Sequence, residues 1–240
     1  DAVKQDLAGK RGTPLERLAD VRDATLENGE RVIVSVGGQD IGINDEATVW
    51  RALLYDAPSI QFEDADTQIF PVVKSTVLSN QCDDSGEEFV LRSVDEGCYR
   101  VSDRSEGALE REQFTPFSAD VTRFANGAML DSFDWQNDDA QACLDILWEV
   151  QAETDINYSF AVQFLNVAGD VVAAGDGPAL RGVNWRSGDT VIQTFCISRD
   201  DAISQVRLGM YTFDGVNFSN VDLIAADQTA VGQQFIQELP

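Results

Sequence analysis

Cys143-Leu-Asp-Ile-Leu-Trp-Glu-Val150, Tyr158-Ser-Phe-Ala-Val-Gln-Phe-Leu165, Asp170-Val-Val-Ala-Ala174, Thr190-Val-Ile-Gln-Thr-Phe-Cys-Ile197 and Gln205-Val-Arg-Leu-Gly-Met-Tyr211 are the runs that decide the fold. Each is short, and most alternate in polarity. Turn signals separate them: Ala168-Gly169-Asp170, Gly175-Asp176-Gly177-Pro178, Ser187-Gly188-Asp189 and Asp214-Gly215. Short alternating strands at this spacing predict an antiparallel sandwich or barrel. On the first run, period 2 puts Leu144, Ile146, Trp148 and Val150 on one face and Cys143, Asp145 and Glu149 on the other.

Upstream the pattern changes. Thr13-Pro14-Leu15-Glu16 reads as a capping box with proline at the first helical position. Leu15, Leu18, Val21 and Leu26 follow at helical spacing, and Asn28-Gly29 ends the helix. Arg31 to Val36 is nearly all apolar and β-branched, as in a strand covered on both faces. Asn44 caps a second helix over residues 45–56, with Ala47, Trp50, Leu53 and Leu54 inward, and Pro58 stops it. Ser59 to Phe62 alternates as a strand. Gln68 to Phe70 and Val72 to Leu78 are two more strand-like runs, with Pro71 marking an edge or bulge. This order predicts a small α/β layer. Gly37-Gly38 lacks the dinucleotide spacing, and no Lys-Ser/Thr follows Gly42, so it reads as a turn and not a phosphate loop.

The polar segment from Ser102 to Glu112 is read as the boundary between domains. The expected architecture is α+β overall. A small α/β domain (1–106) precedes an antiparallel, jelly-roll-like β-sandwich (107–240).

Composition narrows the function. With 42 acidic against 17 basic residues the net charge is −25. Such a surface repels nucleic-acid phosphates and anionic lipid; it reads first as a solvated acidic face that keeps the chain soluble, with no cofactor implied, and calcium held by clustered carboxylates is the sharper alternative. The chain has no histidine, which removes Ser-His-Asp and Cys-His catalysis and every His-containing metal site. The remaining acid–base groups have ordinary pKa values far from neutral. Asp145 and Glu149 are the only acids embedded in an apolar run, and their place on the outer face of a strand predicts small shifts.

The four cysteines form no Cys-x-x-Cys pair. Two well-separated pairs, Cys82 with Cys98 and Cys143 with Cys196, fit disulfides and an oxidising compartment. Closing the shorter loop around the Asp83 to Gly86 turn would stabilise by roughly 3 kcal/mol. No apolar run is long enough to cross a membrane. The chain opens at Asp1 without an initiator Met or a signal peptide, and so reads as an excised piece of something longer.

Residues 107–240 resemble the C-terminal β-sandwich of bacterial polytopic GT-C-type membrane glycosyltransferases, the class of dolichyl-phosphate-mannose and aminoarabinose transferases. The likeness rests on Leu144-Asp-Ile-Leu-Trp148, Asp155-Ile-Asn-Tyr158, Phe160 to Leu165 with Gly169, and Asp176-Gly-Pro178. It continues through Trp185-Arg-Ser-Gly-Asp189 and Leu208-Gly-Met-Tyr211 with Asp214-Gly215. Gln163 stands where the family often has histidine, and Gly182-Val183-Asn184 where it usually has Pro-Thr. The first half is similar to the α/β segment that precedes this sandwich in some members.

In the family, the catalytic carboxylate lies near the first transmembrane helices. The resemblance therefore implies a non-catalytic, extracytoplasmic portion, joined to a membrane only through segments upstream. No catalytic residue carries over. Such a portion would position a glycan, a lipid-linked sugar or an acceptor, or serve as a scaffold. Two other classes compete: an independent carbohydrate-binding module and a structural cell-surface component. For sugar binding the candidates are the aromatics Trp135, Trp185 and Tyr211, with Asp176 and Asp189 as carboxylate partners; for each ring, core packing is the commoner role.

Overall fold

A computed structural model describes residues 15–27, 31–39, 45–80, 90–94 and 97–240. Among these the chain is mainly β, with several antiparallel sheets and two α-helices. It divides into two compact units. The first comprises Asp1–Ala65 and Val73–Ala108, the second Asp66–Val72 and Leu109–Pro240.

The first unit is a sheet with two helices packed on one face. Its elements are α1 (Leu15–Glu27), β1 (Arg31–Ser35), α2 (Asp45–Leu53) and β2 (Ser59–Glu63). After an excursion into the second unit as β3 (Thr67–Phe70), the chain returns as β4 (Ser75–Ser79), β5 (Val90–Val94) and β6 (Gly97–Arg104). The strand order is β2-β1-β4-β6-β5, with β1 parallel to both neighbours. Val32, Val34 and Val36 meet Leu18 and Val21 of α1 and Ala47, Trp50 and Leu54 around α2 in one core. Ile33, on the opposite face, is also buried, as the unbroken apolar run predicts. Arg22 of α1 closes the end of α2: its Nε donates to the Leu53 carbonyl at 2.7 Å and its Nη2 to Asp56 at 2.7 Å. One of the helix's orphan carbonyls is thereby satisfied.

Gly37 has φ of +91° directly after β1, where only glycine turns without strain. The turn reading of Gly37-Gly38 stands on that geometry. Thr13, Pro14, Asn28, Gly29, Asn44 and the Cys82–Cys98 pairing lie outside the described residues.

The second unit contains β7 (Thr115–Pro116), β8 (Ala128–Asn137), β9 (Gln141–Val150), β10 (Ser159–Leu165), β11 (Val171–Ala174) and β12 (Gly177–Pro178). There follow β13 (Thr190–Ser198), β14 (Gln205–Phe213), β15 (Phe218–Asn220), β16 (Leu223–Ile224), β17 (Ala230–Gly232) and β18 (Gln234–Glu238). One sheet has the order β3-β13-β9-β8-β7. The other runs β11-β10-β14-β15, with β12 also on β10 and β18 also on β14.

The sheets meet through aromatic rings. Trp148 of β9 lies 5.9 Å from Phe160 of β10, Phe195 of β13 is 5.6 Å from Phe160, and Trp135 of β8 is 5.6 Å from Phe164. Leu144, Ile146, Trp148 and Val150 are all fully buried on the inner face, as their alternation predicts. Burying side chains of this size contributes about 1.5–3 kcal/mol each.

One strand departs from the sequence reading. Gln68 to Phe70 reads as part of the α/β layer, yet Thr67–Phe70 pairs antiparallel with Gln193–Thr190. Thr67 Oγ1 donates to Gln193 Oε1 at 3.0 Å inside the second unit, and Gln193 Nε2 donates to the Asp66 carbonyl at 3.1 Å. Pro71 follows directly after this edge strand, where a missing N–H costs no ladder bond. Val72 and Val73, expected within a strand, are exposed, and β4 begins only at Ser75.

Candidate binding surface

Four outward-facing rows can be read from the register of β10, β14, β15 and β18. Gln163 pairs with Arg207 and Arg207 with Ile236; Ala161 pairs with Gly209 and Gly209 with Gln234. Ser159 pairs with Tyr211 and Tyr211 with Asn220, and Phe213 pairs with Phe218. The inner positions of β14 (Val206, Leu208 and Met210) are buried. The outer positions are open to differing degrees. Phe213 is 54% exposed and Phe218 69%.

The aromatic end of this face is held by a tight turn. Asp214 Oδ1 accepts the N–H of Asn217 at 2.7 Å and that of Val216 at 2.9 Å. Gly215 sits at φ +98° between them. These donors, Asn217 first, hold the Asp214 carboxyl below the usual carboxylate range. On the strands beside the turn, the rings of Phe213 and Phe218 stack at 4.6 Å with planes 26° apart. Tyr211 meets Phe218 edge-on at 5.4 Å. Amides continue the surface: Asn220 Nδ2 donates to Gln233 Oε1 at 3.1 Å, and Gln233 Nε2 to Asp222 Oδ1 at 3.0 Å. A Cβ on Gly209 would meet Gln234 Cγ at 2.9 Å, so the Gln234 side chain occupies the space over that glycine.

The residues singled out from sequence are not gathered in one place. Tyr211 is half-buried within the aromatic row. Trp135 alternates onto the inner side of β8, where it pairs with Leu144 and packs on Phe164 at the margin of the core. Trp185 is fully buried. Its Nε1 donates to the Leu180 carbonyl at 2.7 Å, and its ring lies 5.0 Å from Trp148 and 5.6 Å from Tyr158. Asp189 is also fully buried; its carbonyl accepts from the Val150 N–H at 2.9 Å. Trp185 and Asp189 therefore present nothing on which a sugar could stack or bond, because the core takes both. Asp176 is exposed, but its Oδ1 accepts the Val162 N–H at 2.9 Å and so serves β10. Phe213, Phe218, Asn220 and Gln233 escaped the sequence reading. The signal was present: two phenylalanines flank Asp214-Gly215-Val216-Asn217 symmetrically, and a tight hairpin sets such positions opposite one another.

The outer face of the other sheet holds the disulfide. Cys143 and Cys196 are register partners on β9 and β13, with Cα atoms 4.1 Å apart. Asp145 lies two residues along, between Asp134 on β8 and Thr194 on β13. Burial pushes its carboxyl up, the hydrogen bond from Thr194 opposes that, and the charge of Asp134 adds to it. No group of three or more acidic or cysteine side chains suited to a metal ion occurs among the described residues.

A second polar cluster lies at the carboxyl ends of the parallel strands, the position where open α/β sheets tend to bind ligands. Glu46, in the first turn of α2, accepts from Tyr99 Oη at 2.7 Å and Asn80 Nδ2 at 3.1 Å. Gln39 Nε2 donates to Asp64 Oδ2 at 2.8 Å. These groups bond one another and so tie the strand ends to the helix. No protein-family model matches the chain, and no curated protein is similar to it.

Proposed function

We propose that this chain is a non-catalytic, extracytoplasmic accessory portion of a membrane glycosyltransferase, in which a jelly-roll-like sandwich holds a glycan or a lipid-linked sugar. The observation that carries this reading is the open aromatic row on β14 and β15, set on a sheet whose other face is closed by the core. Aromatic rings beside amides are the usual means of gripping a sugar, since a ring takes the apolar face of the pyranose and the amides take its hydroxyls. The Cys143–Cys196 disulfide supports an oxidising compartment. The likeness of residues 107–240 to glycosyltransferase ectodomains supports the wider context.

Asp145 is the group best suited to acid chemistry, because its carboxyl is pushed upward. Its Oδ1 is engaged by Thr194 at 2.6 Å on the flank of a sheet, which favours a structural role. The test is an assay of the purified chain with lipid-linked sugars and aryl glycosides. Binding without turnover is the expected result. Turnover that disappears in Asp145→Asn would replace this reading with an enzymatic one.

An independent carbohydrate-binding module is the second reading, favoured by the same aromatic row. The gene separates the two: transmembrane helices encoded upstream of residue 1 favour the accessory portion.

A further inference from the structure

We propose that Asn217 is the acceptor of an N-linked glycan, transferred by an oligosaccharyltransferase from a polyprenyl-diphosphate-linked oligosaccharide. The modification rests on the extracytoplasmic reading above and goes beyond it.

The sequence carries two Asn-x-Ser tripeptides, Asn157-Tyr158-Ser159 and Asn217-Phe218-Ser219. That pattern is the N-glycosylation acceptor. The hydroxyl two residues on is recognised together with the amide, so all three residues must enter the transferase's site. The fold decides which tripeptide can do so.

Asn217 closes the tight turn between β14 and β15, and Asn217, Phe218 and Ser219 are all exposed. β15 is three residues long and, among the described strands, pairs with β14 alone. The Asn217 side chain is held loosely: its Nδ2 donates to Asp214 Oδ2 at 3.4 Å, near the limit of a hydrogen bond. The turn itself is secured by the backbone N–H groups of Val216 and Asn217, so the side-chain amide can be modified without loosening it. A glycan here would also cover an apolar tip, where Val216 is 81% exposed beside Phe218.

Asn157, in contrast, is tied into the sandwich. Its Oδ1 accepts the Gly182 N–H at 3.1 Å. The Tyr158 carbonyl accepts from the Ala179 N–H at 3.0 Å, and the Tyr158 ring packs on buried Trp185. Ser159 is paired with both Pro178 of β12 and Tyr211 of β14. Presenting this tripeptide means opening the end of β10. Presenting Asn217 disturbs at most three register pairs at a sheet edge.

In the transfer, Asn217 Nδ2 bonds to the anomeric carbon of the first sugar as that carbon's bond to the diphosphate oxygen breaks. The lipid diphosphate leaves with the electron pair, and the amide gives up one proton to a base of the transferase. Nothing is oxidised or reduced. Such transfer belongs to the same oxidising side of the membrane that the Cys143–Cys196 disulfide supports.

For the experiment, the folded, disulfide-bonded chain is incubated with the lipid-linked oligosaccharide and an oligosaccharyltransferase already shown to modify the unfolded chain. Intact mass and peptide mapping read the products. One glycan, on Asn217, is the expected result. Asn217→Gln and Ser219→Ala should abolish it, Ser219→Thr should preserve it, and Asn157→Gln should leave it unchanged. Because Asn217 and Ser219 are exposed, their variants should melt as the parent does. A folded chain left bare at Asn217, or modified at Asn157, would overturn the site argued here. Peptide mapping of the chain isolated from its native cells should find the same glycan. A bare Asn217 there, with the disulfide oxidised, would overturn the modification and leave the extracytoplasmic reading standing. A bare Asn217 with both cysteines reduced would overturn both.

Discussion

Thr194 Oγ1 donates to Asp145 Oδ1 at 2.6 Å across β9 and β13, while Asp134 stands opposite Asp145 on the other side. The carboxyl is thus drawn one way by a hydroxyl and the other way by burial and a like charge. Burial prevails, and its pKa lies above the ordinary value. A raised folded-state pKa means that the native state holds the proton more tightly than the unfolded chain. The resulting stability is fully present below the unfolded pKa of about 3.9 and is lost as pH rises through the folded value. Asp145→Asn removes that loss and still accepts from Thr194. It should therefore stabilise the sandwich unit near neutral pH and give little or no gain at about pH 3, below the ordinary carboxylate value. Paired melts of the parent and the variant at both pH values check this. Equal gains at both would show that the charge is not the cause.

The disulfide closes a large loop. Cys143 and Cys196 are separated by 53 residues, and removing the link frees that length in the unfolded state. Replacing both by serine should cost about 2–4 kcal/mol, read as a lower denaturation midpoint with an unchanged far-ultraviolet spectrum. The strands should stay paired, because nine residue pairs join β9 and β13 independently of the sulfurs.

Trp185 and Gly182 stabilise the sandwich from inside. Trp185→Ala should cost about 3–5 kcal/mol through the cavity it leaves, and it also strands the Leu180 carbonyl. A side chain at Gly182 would run into the Ile156 carbonyl and the backbone behind it. Gly182→Ala should therefore destabilise by about 1–3 kcal/mol, as other overpacked sites do. Chemical denaturation gives both values.

In the α/β unit, Arg104 Nη1 reaches both oxygens of Glu63, at 2.7 and 2.9 Å, and Glu63 is only 1% exposed. Arg104→Met should destabilise that unit by about 3–5 kcal/mol, because a buried carboxylate loses its charged partner. Arg104→Met combined with Glu63→Gln should recover part of the loss. No recovery would place the effect in packing and not in charge.

Four of the five strands quoted from the second half were legible because one face of each meets the core, and burial writes period 2 into the chain; β11 has no buried residue and was marked by its flanking turns. Alternation also placed Cys143 outward. The cysteine count named Cys196 as its partner, as found, although the register that sets the two opposite depends on two strands far apart in sequence. The same limit hid β3: Thr67–Phe70 carries no mark of a partner beginning at Thr190. Tryptophan content was a poor guide to exposure. A large ring is wanted inside a core as often as on a surface, and Trp185 is inside. The positions flanking the Asp214-Gly215 turn are legible in another way, because hairpin geometry fixes which residues face each other whatever the core requires.

The loan of β3 to the sandwich has a consequence for the order of synthesis. The α/β unit has all its described strands once residue 104 has left the ribosome, with the 66–72 segment still a loop awaiting its partner. That partner, β13, emerges nearly ninety residues later, so one edge of the sandwich can be zipped only by a segment already anchored at both ends in a folded neighbour. The sandwich is then completed by a segment that lies, in sequence, within the α/β unit. A shortened chain beginning at residue 109 would leave the β13 edge open to pairing with another molecule.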